Sequence, residues 1–148
     1  MLSDFEVAHK MEEFNYVMKK WTKKFLKKYF SAKNLEVTPN QYPLLFILKE
    51  HGPVKMKELS EHMNITTGSL TVMVDRLIEK KLVERFYMPE DRRVVMVGLT
   101  EKGNEELENF KKVFIDYILE GVKRLSEKEK NDLIYCLDFI KNVLIEYY

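Results

Sequence analysis

Two stretches of this 148-residue chain gather side chains suited to binding an anion. The first is Asp91-Arg92-Arg93, which ends a polar run beginning at Met88-Pro89. It sets two adjacent guanidiniums on a turn, with a carboxylate two residues before Arg93 that can orient it by a charge-assisted hydrogen bond. The second is Thr66, Thr67, Ser69 and Thr71, short hydroxyls in the first turns of an expected helix. Free backbone N–H groups and the helix dipole favour phosphate there. Covalent chemistry has no comparable footing: there is no Gly-rich phosphate loop, no His-Glu-x-x-His pair and no Ser/His/Asp-type motif. His9 with Glu13, and Glu58 with His62, have the i, i+4 spacing of a metal pair. The three histidines are otherwise scattered, and neither a metal site nor a cofactor is expected. The single cysteine, Cys136, lies among Leu133, Ile134 and Leu137 and reads as a small buried filler rather than a redox switch.

The elements that must position these groups follow from periodicity and capping. From Phe5 to about Phe30, apolar residues recur three or four apart (Phe14, Val17, Met18, Trp21, Phe25), and Lys19, Lys20, Lys23, Lys24, Lys27 and Lys28 form the other, solvated face. Thr38, Pro39 and Gln41 read as cap, first helical position and capping-box partner of a second helix, which ends at His51-Gly52-Pro53. A short helix over 56–63, a turn at Asn64-Ile65 and a longer helix capped by Thr66 have the shape of a helix-turn-helix. The buried stripe of the longer helix is Leu70, Met73, Val74, Leu77 and Ile78. Leu82 to Tyr87 and Val94 to Leu99 are β-branched and aromatic runs around the polar turn, hence one hairpin, a wing with Arg92-Arg93 at its tip. Two more helices follow, capped by Thr100 and by a Ser126/Glu129 capping box.

Composition agrees with a folded, soluble chain: 45% hydrophobic, 33% charged, with 25 Lys and Arg against 24 Asp and Glu. The acidic groups concentrate in the C-terminal third. One cysteine excludes a disulfide framework and a Cys-based zinc finger. No apolar run approaches the roughly 20 residues of a membrane span, and the N-terminus lacks an export signal, so a cytoplasmic protein without a membrane partner is expected.

The segments Met56-Lys-Glu-Leu-Ser60, Ile65-Thr-Thr-Gly-Ser-Leu-Thr71, Val74-Asp-Arg-Leu77, Lys81-Leu-Val-Glu-Arg85 and Asp91-Arg-Arg93, ending in Leu99-Thr100-Glu-Lys-Gly103, closely resemble the MarR family. These are winged-helix transcription regulators. The resemblance covers the whole chain in element order and 56–103 in motif detail. It implies a mostly α fold with a small β-hairpin wing. A winged helix-turn-helix body at about 36–100 would lie between dimerisation helices at about 5–31 and 101–148, as a single MarR-type domain over 1–148. It further implies a homodimer on a near-palindromic double-stranded DNA site, with the Thr66–Lys80 helix in the major groove and the wing in the minor groove. Apolar surface on the terminal helices, including Phe110, Phe114, Tyr117, Tyr147 and Tyr148, exceeds what one small core needs and suits such a dimer.

On that basis Arg93 is expected to enter the minor groove, oriented by Asp91, with Arg92 on phosphate. Thr66, Thr67, Gly68, Ser69, Thr71, Val72 and Arg76 form the recognition surface. Val72 faces away from the buried stripe and can meet a thymine methyl; Arg76 either binds phosphate or pairs with Asp75 or Glu79. Gly68 and Val72 depart from the polar residues common in the family at these places, which leaves the target sequence open. Lys55 and Lys57 are secondary phosphate candidates. Trp21, Phe25, Tyr42, Phe46 and Phe114 are the candidates to line a pocket for a small aromatic or anionic effector. The function expected is a repressor released from DNA by that effector; an activator of the same fold, or a protein–protein adaptor without DNA affinity, is the alternative. No enzyme activity is expected.

Overall fold

The structure is a computed structural model and describes residues 3–32, 37–88, 91 and 93–147. Arg92 and Tyr148 therefore lie outside the described residues. The elements are α1 (Asp4–Ala32), α2 (Tyr42–His51), β1 (Val54–Lys55), α3 (Met56–Met63), α4 (Thr67–Glu79), β2 (Val83–Tyr87), β3 (Val95–Leu99), α5 (Glu101–Val122) and α6 (Glu127–Tyr147). They divide into two units, Met1–Lys111 and Lys112–Tyr148, with α5 contributing to both.

The core of the first unit forms where the amphipathic stripes predict it. Leu44, Leu45 and Leu48 of α2, Leu59 of α3, Leu70, Val74 and Leu77 of α4, Leu82 just before β2, and Val83 and Val97 of the sheet are all buried. Tight backbone turns set the angles between these helices. Asn64 takes a left-handed conformation (φ 51°), and its N–H and that of Ile65 bond Glu61 O and Ser60 O at 3.1 and 3.2 Å, ending α3 sharply. Thr66 then caps α4, its Oγ1 accepting from the Ser69 N–H at 3.2 Å. At the far end Lys81, also left-handed (φ 61°), lets the Leu82 N–H bond Leu77 O at 3.0 Å and turns the chain into β2.

Two boundaries differ from the sequence expectation. The helix expected from Pro39 begins at Tyr42 instead. Gln41 Oε1 does accept the Thr38 N–H, at 3.0 Å, but the reciprocal Gln41 N–H to Thr38 O bond (2.9 Å) closes a separate turn. Pro43 explains the shift: a helix starting at Pro39 would require an N–H from residue 43 to the carbonyl of residue 39, and proline has none to give. In the first turn of α2 that missing donor costs nothing. The expected lone hairpin is a three-stranded antiparallel sheet in the order β1-β3-β2. Val54 and Lys55 pair with Val97 and Met96, while β2 pairs from Val83↔Leu99 to Tyr87↔Val95.

The root of the wing is also the start of α5. Thr100 donates its N–H to Leu82 O (3.1 Å) and its hydroxyl to Lys81 O (2.7 Å), and it accepts from the Gly103 N–H (3.0 Å). Lys102 Nζ adds a bond to Lys80 O at 2.9 Å. Gly103 is buried in this joint, and a Cβ there would stand 2.1 Å from Leu82 O.

Aromatic rings fill the rest of the first unit. Phe110 contacts Phe25, Tyr29 and Phe46 edge-on, with centroids 5.3–5.9 Å apart, and lies tilted over Tyr42 at 4.3 Å. Phe110 is thus a partner in this cluster, not surplus surface as expected, because the rings of α1 and α2 converge on it.

In the second unit the capping box at Ser126 and Glu129 forms in full. No described residue of α6 is buried. Ile134, Tyr135, Leu137, Phe139, Leu144, Ile145 and Tyr147 are all exposed. Cys136 is exposed as well, correcting the expectation of a buried filler: its neighbours Leu133, Ile134 and Leu137 are exposed with it, so they form no core for it to fill. No described helix is long and apolar enough to cross a membrane.

Candidate nucleic-acid interface

Helix α4 turns Leu70, Val74 and Leu77 into the core, which leaves Thr66, Thr67, Gly68, Ser69, Val72 and Arg76 exposed together. The hydroxyls are not equivalent. Thr66 Oγ1 accepts from the Ser69 N–H and donates to Ser69 Oγ (3.0 Å), so capping consumes it. The Thr71 hydroxyl, half-buried, donates to Thr67 O at 2.8 Å. Among the described residues, Thr67 and Ser69 keep a hydroxyl proton to offer outward. Gly68 has open space where a side chain would project, baring the backbone of the first turn. Val72 is 51% exposed, an apolar group in the middle of a polar face.

Arg76 makes no ion pair among the described residues. Its neighbour Asp75 is directed elsewhere, to Arg85 Nη2 of β2 at 2.9 Å. Arg85 Nε and Nη2 are buried without a well-directed hydrogen bond. The contact is therefore a charge–charge approach off the N–H direction. Sequence reasoning missed this pair: the two residues are ten positions apart on different elements, and Asp75 stands directly beside a competing arginine.

At the wing, the Met88 N–H bonds Val94 O (3.2 Å) and the Val94 N–H bonds Asp91 O (3.0 Å), holding the strand ends together. Asp91 Oδ1 accepts the Arg93 N–H at 3.0 Å and stands 3.8 Å from Arg93 Nε. The Arg93 side chain is 96% exposed. The expected charge-assisted hydrogen bond to the guanidinium is therefore not formed, because the carboxylate is engaged by the Arg93 backbone N–H. It only approaches the side chain as an ion pair, and the guanidinium keeps its donors for another partner. Tyr87, at the end of β2, is a further exposed ring near the tip that strand periodicity alone did not single out. Lys55 Nζ is 3.3 Å from Glu58, and Lys57 is exposed on α3. The lysines of α1 are exposed, with Lys20 Nζ 4.6 Å above the Tyr16 ring.

The five pocket candidates do not form one group. Phe25 and Tyr42 are core residues of the aromatic cluster, Phe46 is its half-exposed edge, and Trp21 is half-buried on α1. Phe114 belongs to the second unit. Tyr42 carries the cluster's polar contact, its hydroxyl donating to Glu106. Burial, reinforced by that bond and by one with Tyr29, drives the Tyr42 phenol far above the ordinary tyrosine range.

Comparison with known proteins bears on both regions. The profile of the MarR family matches residues 37–95, from before α2 into β3. The HTH-type transcriptional repressor MdtR of Bacillus subtilis (strain 168) is 40% identical over 72 residues, which span 49% of this chain but only 46% of that relative's length. The uncharacterized HTH-type transcriptional regulator YfiV of the same organism is 32% identical over 117 residues, 74% of this chain and 69% of the relative. Among solved structures, YusO of Bacillus subtilis is 25% identical with a TM-score of 0.72, covering 96% of this chain and 99% of that one. A mutant MarR of E. coli complexed with operator DNA is 26% identical with a TM-score of 0.60, covering 94% and 99%. With the helix-turn-helix, the wing and the sheet order all in place, this chain belongs to the MarR family of winged helix-turn-helix transcriptional regulators.

Proposed function

We propose that this protein is a homodimeric, cytoplasmic transcriptional repressor that binds a near-palindromic site in double-stranded DNA and is released by a small aromatic or anionic effector. The observation that carries the DNA-binding reading is Arg93: almost fully exposed, its backbone held by Asp91, and projecting from a wing rooted beside the α4 helix. In this reading α4 enters the major groove with Thr67, Ser69, Val72 and Arg76 outward. Thr66 and Thr71 shape the helix, and Gly68 allows close approach of its backbone. Arg92 and Arg93 serve the minor groove and its phosphates, with Lys55 and Lys57 on flanking phosphates. The operator complex of the E. coli relative and the repressor names of MdtR and of IacR from Pseudomonas putida support the assignment.

The bare apolar face of α6 supports the dimer. A run of exposed Ile, Leu, Tyr and Phe along a whole helix is more apolar surface than a monomer ordinarily leaves in water. Of the pocket candidates, Trp21 and Phe46 keep accessible ring surface in the first unit and remain the proposed effector contacts, whereas Phe25 and Tyr42 are buried in its aromatic core. Ligand binding there would favour dimers whose recognition helices no longer match the groove spacing, and so release DNA by population shift.

Selection of binding sites from a random duplex pool, followed by titration at several salt concentrations, tests the proposal. The expected result is an inverted repeat with half-sites about 10 base pairs apart and an affinity that falls steeply with salt. Sedimentation should give a dimer. An intact dimer that enriches no sequence would overturn the reading in favour of an adaptor.

A further inference from the structure

Two of the three histidines lie against each other. His51 ends α2, and His62 is in the last turn of α3. Their rings stack with centroids 5.2 Å apart and planes 22° from parallel. Both side chains are exposed, and neither makes a hydrogen bond among the described residues, so core packing does not account for the pairing. The sequence had paired His62 with Glu58 on its own helix; the fold supplies a second imidazole from another helix instead.

The surroundings suit a cation. Both rings occupy the C-terminal turn of a helix, where the free carbonyls carry negative partial charge. Glu50 Oε2 is 3.9 Å from His51 Nε2. The nearby lysines are turned to other partners: Lys49 Nζ bonds Asn104 Oδ1 at 2.7 Å, and Lys55 Nζ stands 3.3 Å from Glu58. Imidazole nitrogen selects the borderline divalent ions, zinc, nickel and copper(II), over magnesium or calcium. At metal–nitrogen distances of about 2.0–2.1 Å, two exposed rings already in contact need only side-chain rotation to converge on one ion. No cluster of three or more metal-ligating side chains occurs among the described residues, so water would complete the coordination.

We propose that His51 and His62 form a binding site for a divalent transition-metal ion of the zinc, nickel and copper(II) class, which clamps the end of α2 to α3, the first helix of the helix-turn-helix. The proposal does not depend on DNA binding. Its test is calorimetric titration of tag-free, metal-stripped protein with Zn²⁺ and with Ni²⁺, alongside His51→Ala, His62→Ala and His9→Ala. One ion per chain is expected. Because outer partners alone shift metal affinity by about 10–100-fold, loss of either ligand should weaken binding by at least about 10-fold, while His9→Ala leaves it unchanged. Zn²⁺ should raise the melting temperature of the wild type but not of the His51 or His62 variants. Glutamine variants serve in the same way if either alanine variant melts early without metal. Equal affinity in the His51 or His62 variants, or loss of binding in His9→Ala alone, would overturn the assignment.

Discussion

Asp75 of α4 and Arg85 of β2 meet at 2.9 Å, joining that helix to the wing by a charge contact. Arg85 is the more enclosed of the two, and two of its nitrogens have no directed hydrogen bond. Removing the carboxylate therefore leaves an enclosed cation rather than a vacant surface. Asp75→Ala should lower stability by about 1–2 kcal/mol, below the cost for a fully buried pair because Asp75 is half-exposed. The double variant with Arg85→Met should recover part of that loss. Denaturant melts of the four proteins in the cycle measure the coupling; strict additivity would mean that the contact contributes nothing.

Gly103 supplies a sharper test of the joint beneath the wing. An alanine inside a helix is ordinarily better than glycine by about 1 kcal/mol. Here its Cβ would lie 2.1 Å from a backbone oxygen, Leu82 O, and 2.7 Å from Leu99 Cδ1. The clash should win, with a net loss of about 2 kcal/mol or more. Gly68→Ala, on open ground in α4, should instead leave stability equal or slightly raised. Thermal melts of the two variants decide the matter directly.

Arg93→Ala should leave the melting temperature unchanged, since the side chain touches little of its own fold. DNA affinity should fall by about 1–3 kcal/mol, with a shallower salt dependence. Asp91→Ala should cost less than Arg93→Ala, because it removes only the carboxylate that holds the Arg93 backbone in the turn. Fluorescence anisotropy on the selected site provides the comparison, and an unchanged affinity in Arg93→Ala would remove the wing from the interface.

Tyr42 predicts an alkaline effect with a definite sign. Burial first, then the bond to Glu106, raises the native phenol above its unfolded value, so the native state keeps a proton that the unfolded chain loses above about pH 10. The stabilisation is complete below that pH and declines as pH rises, by about 1.4 kcal/mol per unit. Tyr42→Phe should be less stable by about 1 kcal/mol at neutral pH, and this deficit should shrink above pH 10. Urea melts from pH 8 to 11 would show the two curves converging; parallel curves would contradict the assignment.

The sequence made some of this legible and hid the rest for identifiable reasons. Helix α4 was readable almost to the residue, because Thr66 caps it locally and a single stripe of Leu70, Val74 and Leu77 faces inward. The capping box at Ser126 and Glu129 was readable on the same grounds. Strand β1 was not: two residues have no period, and Val54 is a strand residue only because Val97, far along the chain, bonds to it. The start of α2 misled because Thr38 and Gln41 carry the signals of a helix cap yet close a separate turn before Pro43. Arg93 could be singled out from composition and position. The freedom of Arg76 could not, since it rests on Asp75 choosing Arg85 across the fold.

That choice has a bearing on solubility. In the order β1-β3-β2, the five-residue β2 is an edge strand, with Arg85 at its centre. A foreign strand adding along that edge would have to bury a charged side chain that Asp75 already holds towards the body of the protein, and inward-turned charge is a recognised guard against edge-to-edge aggregation. The opposite edge offers only the two residues of β1 before α3 begins. Both edges of this small sheet are thereby guarded against pairing with a second copy.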